Sequence, residues 1–419
     1  MRLAATGLDA LDLDRAVAEV LDQRLGRGCA QPVALALSGG GDSLALLLAA
    51  QAWAPGAGRR LLVLTVDHRL QPASADWTAA CAARAGALGL PFRALAWNGP
   101  KPAAGLPAAA RQARHRLLAC AAREGGARVI LLGHTADDVR ETRAMRAAGA
   151  STPQPRPWSP SPAWPEGRGL FLLRPLLGAR RASIRDWLAA RGETWIEDPA
   201  NIDPRFARAR ARRAPGAELG PETPPTSPPR TLAAACRMDA AGVLSLARAG
   251  LRERPGEAPA FVSAACLSAA GTTRPPLSER LARLVAELMS EAEVTATLAG
   301  ARIEADGQEV RFLREPGEAA RGGLLGLTLA AGQQAVWDGR FEIVADRPLE
   351  VRALSGRAAR LPAAQRAALQ GFAVKARAAL PAEVGTEAVS CLALDGAHCR
   401  PLALERLQAA CGLVEREPS

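Results

Sequence analysis

The sequence predicts an α/β protein: a parallel-sheet N-terminal domain, then a helical region, then a small α+β C-terminal domain. Three observations carry this expectation. Between residues 33 and 134, short apolar runs alternate with amphipathic stretches of helical length. Two proline-rich stretches, 151–169 and 215–229, interrupt the pattern. From residue 293 onward the periodicity turns to short strands. Alternation at this spacing builds strand–helix–strand units, which lay strands parallel with helices on both faces.

Taken in order, Val33–Leu37 reads as a buried strand, followed by a glycine turn and a helix from about Leu44 to Trp53. Leu61–Asp67 is a second strand and Ser74–Leu88 a helix. Pro91–Trp97 is a third strand, Pro107–Glu124 a helix and Arg128–Gly133 a fourth strand. The stretch 151–169 holds six prolines and no periodicity, so it reads as a long loop, functional or disordered. A strand (Leu170–Arg174) and a helix (Ala179–Arg191) follow. The proline-rich stretch from 215 to 229 reads as a linker, residues 231–291 as helical, and Ala296–Ile303, Val310–Leu313 and Phe341–Val344 as strands. The expected domains are therefore 1–214, 215–292 and 293–419.

Composition narrows the function. With 53 basic against 42 acidic residues the net charge is +11, and Lys101 and Lys375 are the only lysines. Guanidinium suits phosphate, so nucleic acid is an expected partner, although a GC-rich genome, which favours Arg and Ala codons, explains part of the bias. The chain has no Tyr, which leaves base stacking to Trp, Phe, His or Arg. Eight cysteines are scattered without a CxxC pair, against a disulfide framework, a zinc knuckle or a thioredoxin-type site. Asp9, Asp12 and Asp14 exclude a signal peptide from the N-terminus, and no apolar run reaches membrane-spanning length. The expectation is a cytoplasmic protein with no membrane partner.

Five strings carry chemistry, the first three at the carboxyl ends of predicted strands, where sites on such sheets lie. Ser38-Gly39-Gly40-Gly41-Asp42-Ser43 joins a strand to a helix. Three glycines let the backbone approach an oxyanion and aim N–H groups at it, and the helix N-terminus favours negative charge. It is no Walker A loop, because the GKS/T ending is missing. The bland alternative is a tight turn with Asp42 or Ser43 as helix cap. Asp67-His68 ends the second strand; alone it reads as an acidic strand end beside an exposed His. Gly133-His134-Thr135-Ala136-Asp137-Asp138-Val139-Arg140-Glu141-Thr142 ends the fourth strand and opens a helix. Asp137 is a credible capping acid. Asp138 and Glu141 share a face, and a bound Mg²⁺ or cationic substrate explains their mutual repulsion better. Arg111 and Arg114 present one basic face, which solvent alone explains equally well. Glu197–Asn201 leads into Arg205, Arg208, Arg210, Arg212 and Arg213, cations without interleaved acids that phosphodiesters would neutralise.

Together these strings resemble the tRNA(Ile)-lysidine synthase family of PP-loop, N-type ATP pyrophosphatases. The matching segments, over roughly residues 30–213, are Ser38–Ser43, Asp67–Leu70, Ala110–His115, Gly133–Thr142, Arg174–Leu177, Glu197–Asn201 and Phe206–Arg212. Leu313–Pro316 and Trp337–Phe341 match with less force. The departures are His115 in place of Tyr, Val139 in place of Gln, Ala200 in place of Ser, and prolines in place of a glycine-rich stretch at 151–169.

The resemblance implies a ligase that adenylates the wobble cytidine of a CAU-anticodon isoleucine tRNA with ATP and then joins free lysine to it. It implies Ser38, Gly39, Gly40, Gly41, Asp42, Ser43, Asp67, Gly133 and His134 at ATP, and Asp42 and Asp138 at Mg²⁺. Catalysis would fall to Asp42, Arg111, Asp138 and Glu141, and tRNA or lysine contacts to Arg114, Asn201, Arg205, Arg208, Arg210 and Arg212. A homodimer is among the expectations. Two alternatives stay open: a tRNA thiolase on the same fold, which needs reactive paired cysteines, and a non-catalytic nucleotide- or RNA-binding relative.

Overall fold

The computed structural model describes residues 12–149, 152–198, 210, 228–318, 324–385 and 388–418. The chain forms two compact units, one of residues 1–224 with 414–419, the other of residues 225–413.

In the first unit a helix, α1 (Asp12–Arg24), precedes the sheet elements β1 (Val33–Ala36), α2 (Gly41–Trp53), β2 (Leu61–Asp67), α3 (Ser74–Ala87), β3 (Phe92–Ala96), α4 (Leu106–Glu124), β4 (Val129–Leu131) and α5 (Ala136–Ala147). Then come β5 (Trp158–Pro160), β6 (Phe171–Leu173) and α6 (Arg181–Ala189). The sheet order is β3-β2-β1-β4-β6-β5, parallel except for the antiparallel β5 edge. The parallel sheet expected from the alternation is therefore present, and β2 occupies the residues expected of it.

Strand alternation sorts the core. Leu35, Val63, Val129 and Leu131 enter the cluster under α1, α2 and α6, while Ala34, Leu62, Leu64 and Ile130 enter the one under α4. Each such buried Leu, Ile or Val side chain contributes about 1.5–3 kcal/mol. The order reverses direction between β1 and β4, so the open crevice lies beyond their carboxyl ends. The proline-rich stretch is a loop over most of its described length, as expected, but residues 158–160 form an edge strand within it. Pro160 sits where prolines are tolerated in sheets, on an edge and at a strand end.

Residues 414–418 belong to this first unit. Glu417 binds Arg59 in a fork, Arg59 Nη1 to Oε2 at 2.7 Å and Nη2 to Oε1 at 2.8 Å, with the Arg59 side chain 0% exposed. The Glu417 amide donates to the Arg24 carbonyl, and Trp158 Nε1 to the Val414 carbonyl.

In the second unit, strands β7 (Arg237–Met238) and β8 (Leu244–Ala247) join β9 (Val294–Leu298), β10 (Ala301–Ala305) and β11 (Glu309–Arg314) in the antiparallel order β7-β8-β11-β10-β9. Residues 231–291 are thus not uniformly helical. Two short strands interrupt the helices there, and one sheet draws strands from both sides of residue 293. The helix Ala258–Ala270 packs on this sheet. A second core forms under β12 (Leu327–Leu329), β13 (Gln334–Trp337), β14 (Phe341–Val344), β15 (Leu349–Ala353), β16 (Pro381–Val384), β17 (Val389–Cys391) and β18 (Cys399–Pro401). Among the described residues no helix is long and apolar enough to cross a membrane.

Candidate active site

The glycine string forms the turn between β1 and α2. Gly39 has φ +83°, a left-handed backbone that favours glycine, and a Cβ there would push on the tip of Ile196. Ile196 N–H donates to the Gly39 carbonyl at 3.0 Å, which seats the 193–198 segment under the turn. Ser43 Oγ accepts the Ser38 N–H at 3.1 Å and donates to the Gly40 carbonyl at 2.9 Å. Gly40 is the helix cap, without a side-chain bond, so neither Asp42 nor Ser43 caps α2. At the end of β4, a Cβ on Gly133 would come within 3.0 Å of Asp42 O and of Ser43 N and Cα. The two turns thus touch backbone to backbone, which no larger residue allows.

Beside this contact lies an acidic cluster organised by a residue that the sequence reading passed over. Arg181 Nε donates to Asp42 Oδ2 at 3.1 Å and Nη1 to Glu141 Oε1 at 3.0 Å, while Nη2 lies 3.6 Å from Asp138 Oδ2. Its backbone N–H donates to Asp137 Oδ2 at 2.7 Å. Asp137 therefore caps α6, not α5. Asp138 supplies the α5 capping box: its Oδ2 accepts the Thr135 N–H at 2.8 Å. Burial pushes the Asp42 carboxyl up, with Asp138 adding and Arg181 opposing. Burial alone would lower the Arg181 guanidinium, but Asp42, Glu141 and Asp138 raise it on balance. Three carboxylates face one fixed cation, which leaves surplus negative charge.

The other flank of the crevice is basic. Arg174, 5% exposed at the end of β6, donates from Nε to His134 Nδ1 at 3.1 Å. Burial, then Arg111 and Arg114 on α4, pull its guanidinium down to about 10. His115 is buried, and burial with Arg114, Arg111 and Arg174 lowers it to about 2. His68 is lowered by burial and Arg114, with Asp67 opposing. Asp67 itself ends β2 and accepts the Arg69 N–H at 2.7 Å.

The structure thus brings the glycine string, Gly133, Asp42, Asp138 and Glu141 together, and gathers Arg111, Arg114 and His134 around Arg174. Gln71 Nε2 donates to Asp198 Oδ1 at 3.1 Å, linking the second and fifth strings. Asn201, Arg205, Arg208 and Arg212 lie outside the described residues, and Arg210 is exposed. The missed Arg181 did leave a signal. A cation at the first position of a helix opposes the helix dipole, which asks for a nearby carboxylate. Cys81 packs beside the glycine turn: a Cβ on Gly39 would lie 3.4 Å from its Sγ. Burial pushes that thiol up, away from the thiolate a nucleophile needs.

The model of the PP-loop domain family matches residues 12–219. The tRNA(Ile)-lysidine synthase of Caulobacter vibrioides is 52% identical over 413 residues, 96% of this chain and 98% of that one. That of Hyphomonas neptunium is 36% identical over 78% of this chain and 90% of its own length. That of Methylobacterium nodulans is 37% identical over 73% and 97%.

Proposed function

We infer the function of this chain from its family: it belongs to the tRNA(Ile)-lysidine synthases. It ligates lysine to C2 of the wobble cytidine in an isoleucine tRNA, with ATP going to AMP and pyrophosphate. The assignment of its residues to roles is our proposal. The observation that carries it is the convergence of Asp42, Asp138 and Glu141 on one cation beside the glycine turn.

ATP phosphates are placed on the N–H groups of Gly39–Gly41 at the positive end of α2. The C2 oxygen of the cytidine attacks the α-phosphorus, and pyrophosphate leaves. Arg111 and Arg114, with Arg174 behind them, face the charge that develops there or grip the lysine carboxylate. The ε-amine of lysine must lose a proton before it displaces AMP at C2. Asp138 and Glu141 are the acceptors, since a carboxylate beside the ammonium holds it and then takes its proton. Among the described residues no three His, Cys, Asp or Glu side chains form a metal cage on their own. Mg²⁺ usually takes one or two carboxylates together with substrate phosphates, which fits Asp42 and Asp138. Bound there, it would neutralise phosphate charge.

An anticodon loop suits the substrate, because its bases are unpaired and cheap to splay into a pocket. We assign the tRNA body to the chain after residue 214, with Asn201, Arg205, Arg208, Arg210 and Arg212 along the phosphates. The cytoplasm is the fitting compartment. Homodimerisation stays part of this proposal, and the mass in solution decides it.

The test uses purified protein, ATP, Mg²⁺ and an isoleucine tRNA transcript with a CAU anticodon. Labelled lysine should enter the tRNA without a sulfur donor, and AMP release should require both tRNA and lysine. Sulfur at the wobble base in place of lysine would assign the chain to the thiolases. No AMP under any condition would make it a non-catalytic relative.

A further inference from the structure

We propose that Arg174 is a positioning residue that holds His134 as the neutral tautomer protonated on Nε2, and that the proline-rich segment around 156–159 serves to hold Arg174. The first step is a matter of donors. A guanidinium has no acceptor, so the 3.1 Å contact between Arg174 Nε and His134 Nδ1 requires a lone pair on Nδ1. A neutral imidazole with a bare Nδ1 carries its proton on Nε2. An imidazolium would turn an N–H against an N–H, on a flank already crowded by Arg111 and Arg114.

The second step is what fixes Arg174. Its Nη1 donates to the Arg156 carbonyl at 2.7 Å and to Ser159 Oγ at 3.1 Å, and its backbone N–H to the Pro157 carbonyl at 2.9 Å. Ser159 sits on β5 and the two carbonyls lie immediately before it; β5 pairs with β6 and stacks Trp158 on Phe171 at 4.8 Å. A stretch with no evident purpose in the sequence thereby acts on the site through one arginine.

The chemical consequence is definite. One His134 nitrogen spends its lone pair on Arg174 and the other carries a proton, so the ring is a hydrogen-bond donor and not a base. Next to Gly133, which touches the Asp42–Ser43 backbone, that donor serves a phosphate oxygen of ATP. The proton of the lysine amine is left to the carboxylates. Only this last assignment rests on the ligase reading.

The test labels the four histidines with ¹⁵N and records long-range proton–nitrogen spectra at neutral pH, with the His134 signals assigned by their loss in His134→Gln. Wild-type His134 should show a bare Nδ1 and a protonated Nε2, a readout that needs no turnover. Arg174→Gln should release the ring into mixed tautomers, Arg174→Lys less so, and Ser159→Ala should shift its signals without changing the tautomer. In the lysine assay His134→Asn, whose amide reaches only the Nδ1 position, should lose roughly 100-fold in kcat. His134→Gln, whose amide reaches the Nε2 position, should lose roughly tenfold or less. An Nδ1–H tautomer or an imidazolium in the wild type overturns the proposal, as does an unchanged His134 spectrum in Arg174→Gln. Inactivity of the wild type in the lysine assay sinks the ligase reading and leaves the tautomer result standing.

Discussion

Around Arg181 three carboxylates share one guanidinium; in the second unit, two buried guanidiniums meet on Asp338, with Glu318 3.5 Å from Arg314 Nη2. There, Arg314 Nε and Arg340 Nε both donate to Asp338 Oδ2, at 3.1 and 2.7 Å, and the three side chains are 0%, 4% and 5% exposed. The surplus donors of Arg314 and Arg340 go to the carbonyls of Gly300, Glu315 and Ala379. Two carboxylates balance the two guanidiniums and backbone oxygens take up further donors, which makes the Asp338 cluster a structural knot. Beside Asp42 the Thr135 N–H takes up part of the charge on Asp138, and the three carboxylates still outnumber the Arg181 guanidinium, whose side chain is 19% exposed. Charge left over at a crevice is charge offered to a ligand.

The sharpest way to break this comparison is to remove one carboxylate from each cluster. Asp338→Ala takes their shared carboxylate from two buried guanidiniums and should cost about 3–5 kcal/mol of stability, read by denaturant unfolding. A loss below about 1 kcal/mol would mean that water reaches the knot. Asp138→Asn and Glu141→Gln should behave in the opposite way. Stability should change by no more than about 1 kcal/mol, since Asn can still accept the Thr135 N–H and repulsion is relieved. Turnover of lysine should fall roughly 100- to 1,000-fold, equivalent to about 3–4 kcal/mol of barrier. Kinetics like the wild type would return Asp138 to a plain capping role.

A smaller effect tests the basic flank by pH. His115 is held at about 2 when folded, whereas the unfolded chain takes up a proton near 6.5. Its contribution is therefore fully present above pH 6.5 and declines as the pH falls, because only the unfolded state binds the proton. Between pH 6.5 and 4.5 this should cost about 2–3 kcal/mol. His115→Phe should remove that part of the slope, and an identical slope in both proteins would show that the ring is reached by solvent.

What the sequence made legible follows from the range of each interaction. β2 could be read residue for residue because an apolar run, broken only by Thr65, ends on Asp67. The glycine string and the Asp138–Glu141 pair were legible because their chemistry is local. Arg181 was not, since its partners Glu141 and Asp42 stand 40 and 139 residues away. β5 was hidden by prolines, which mark an edge strand as readily as a loop. β7 and β8 were hidden by their brevity, two and four residues among helix formers. The arginine excess was read as phosphate affinity, yet part of it is internal masonry. Fully buried Arg248 donates to the carbonyls of Glu287 and Leu288 at the end of the helix Ser278–Met289, and to that of Ala292.

The clasp between Arg59 and Glu417 has a meaning in time. The two residues are 358 positions apart, so at ribosomal rates roughly 20–70 s separate their synthesis. During that interval the N-terminal unit holds a guanidinium whose interior site lacks its carboxylate, and such a stranded charge costs several kcal/mol. An early part of the N-terminal unit is completed by residues made hundreds of positions later. A nascent chain halted before residue 414 carries its N-terminal unit without that carboxylate.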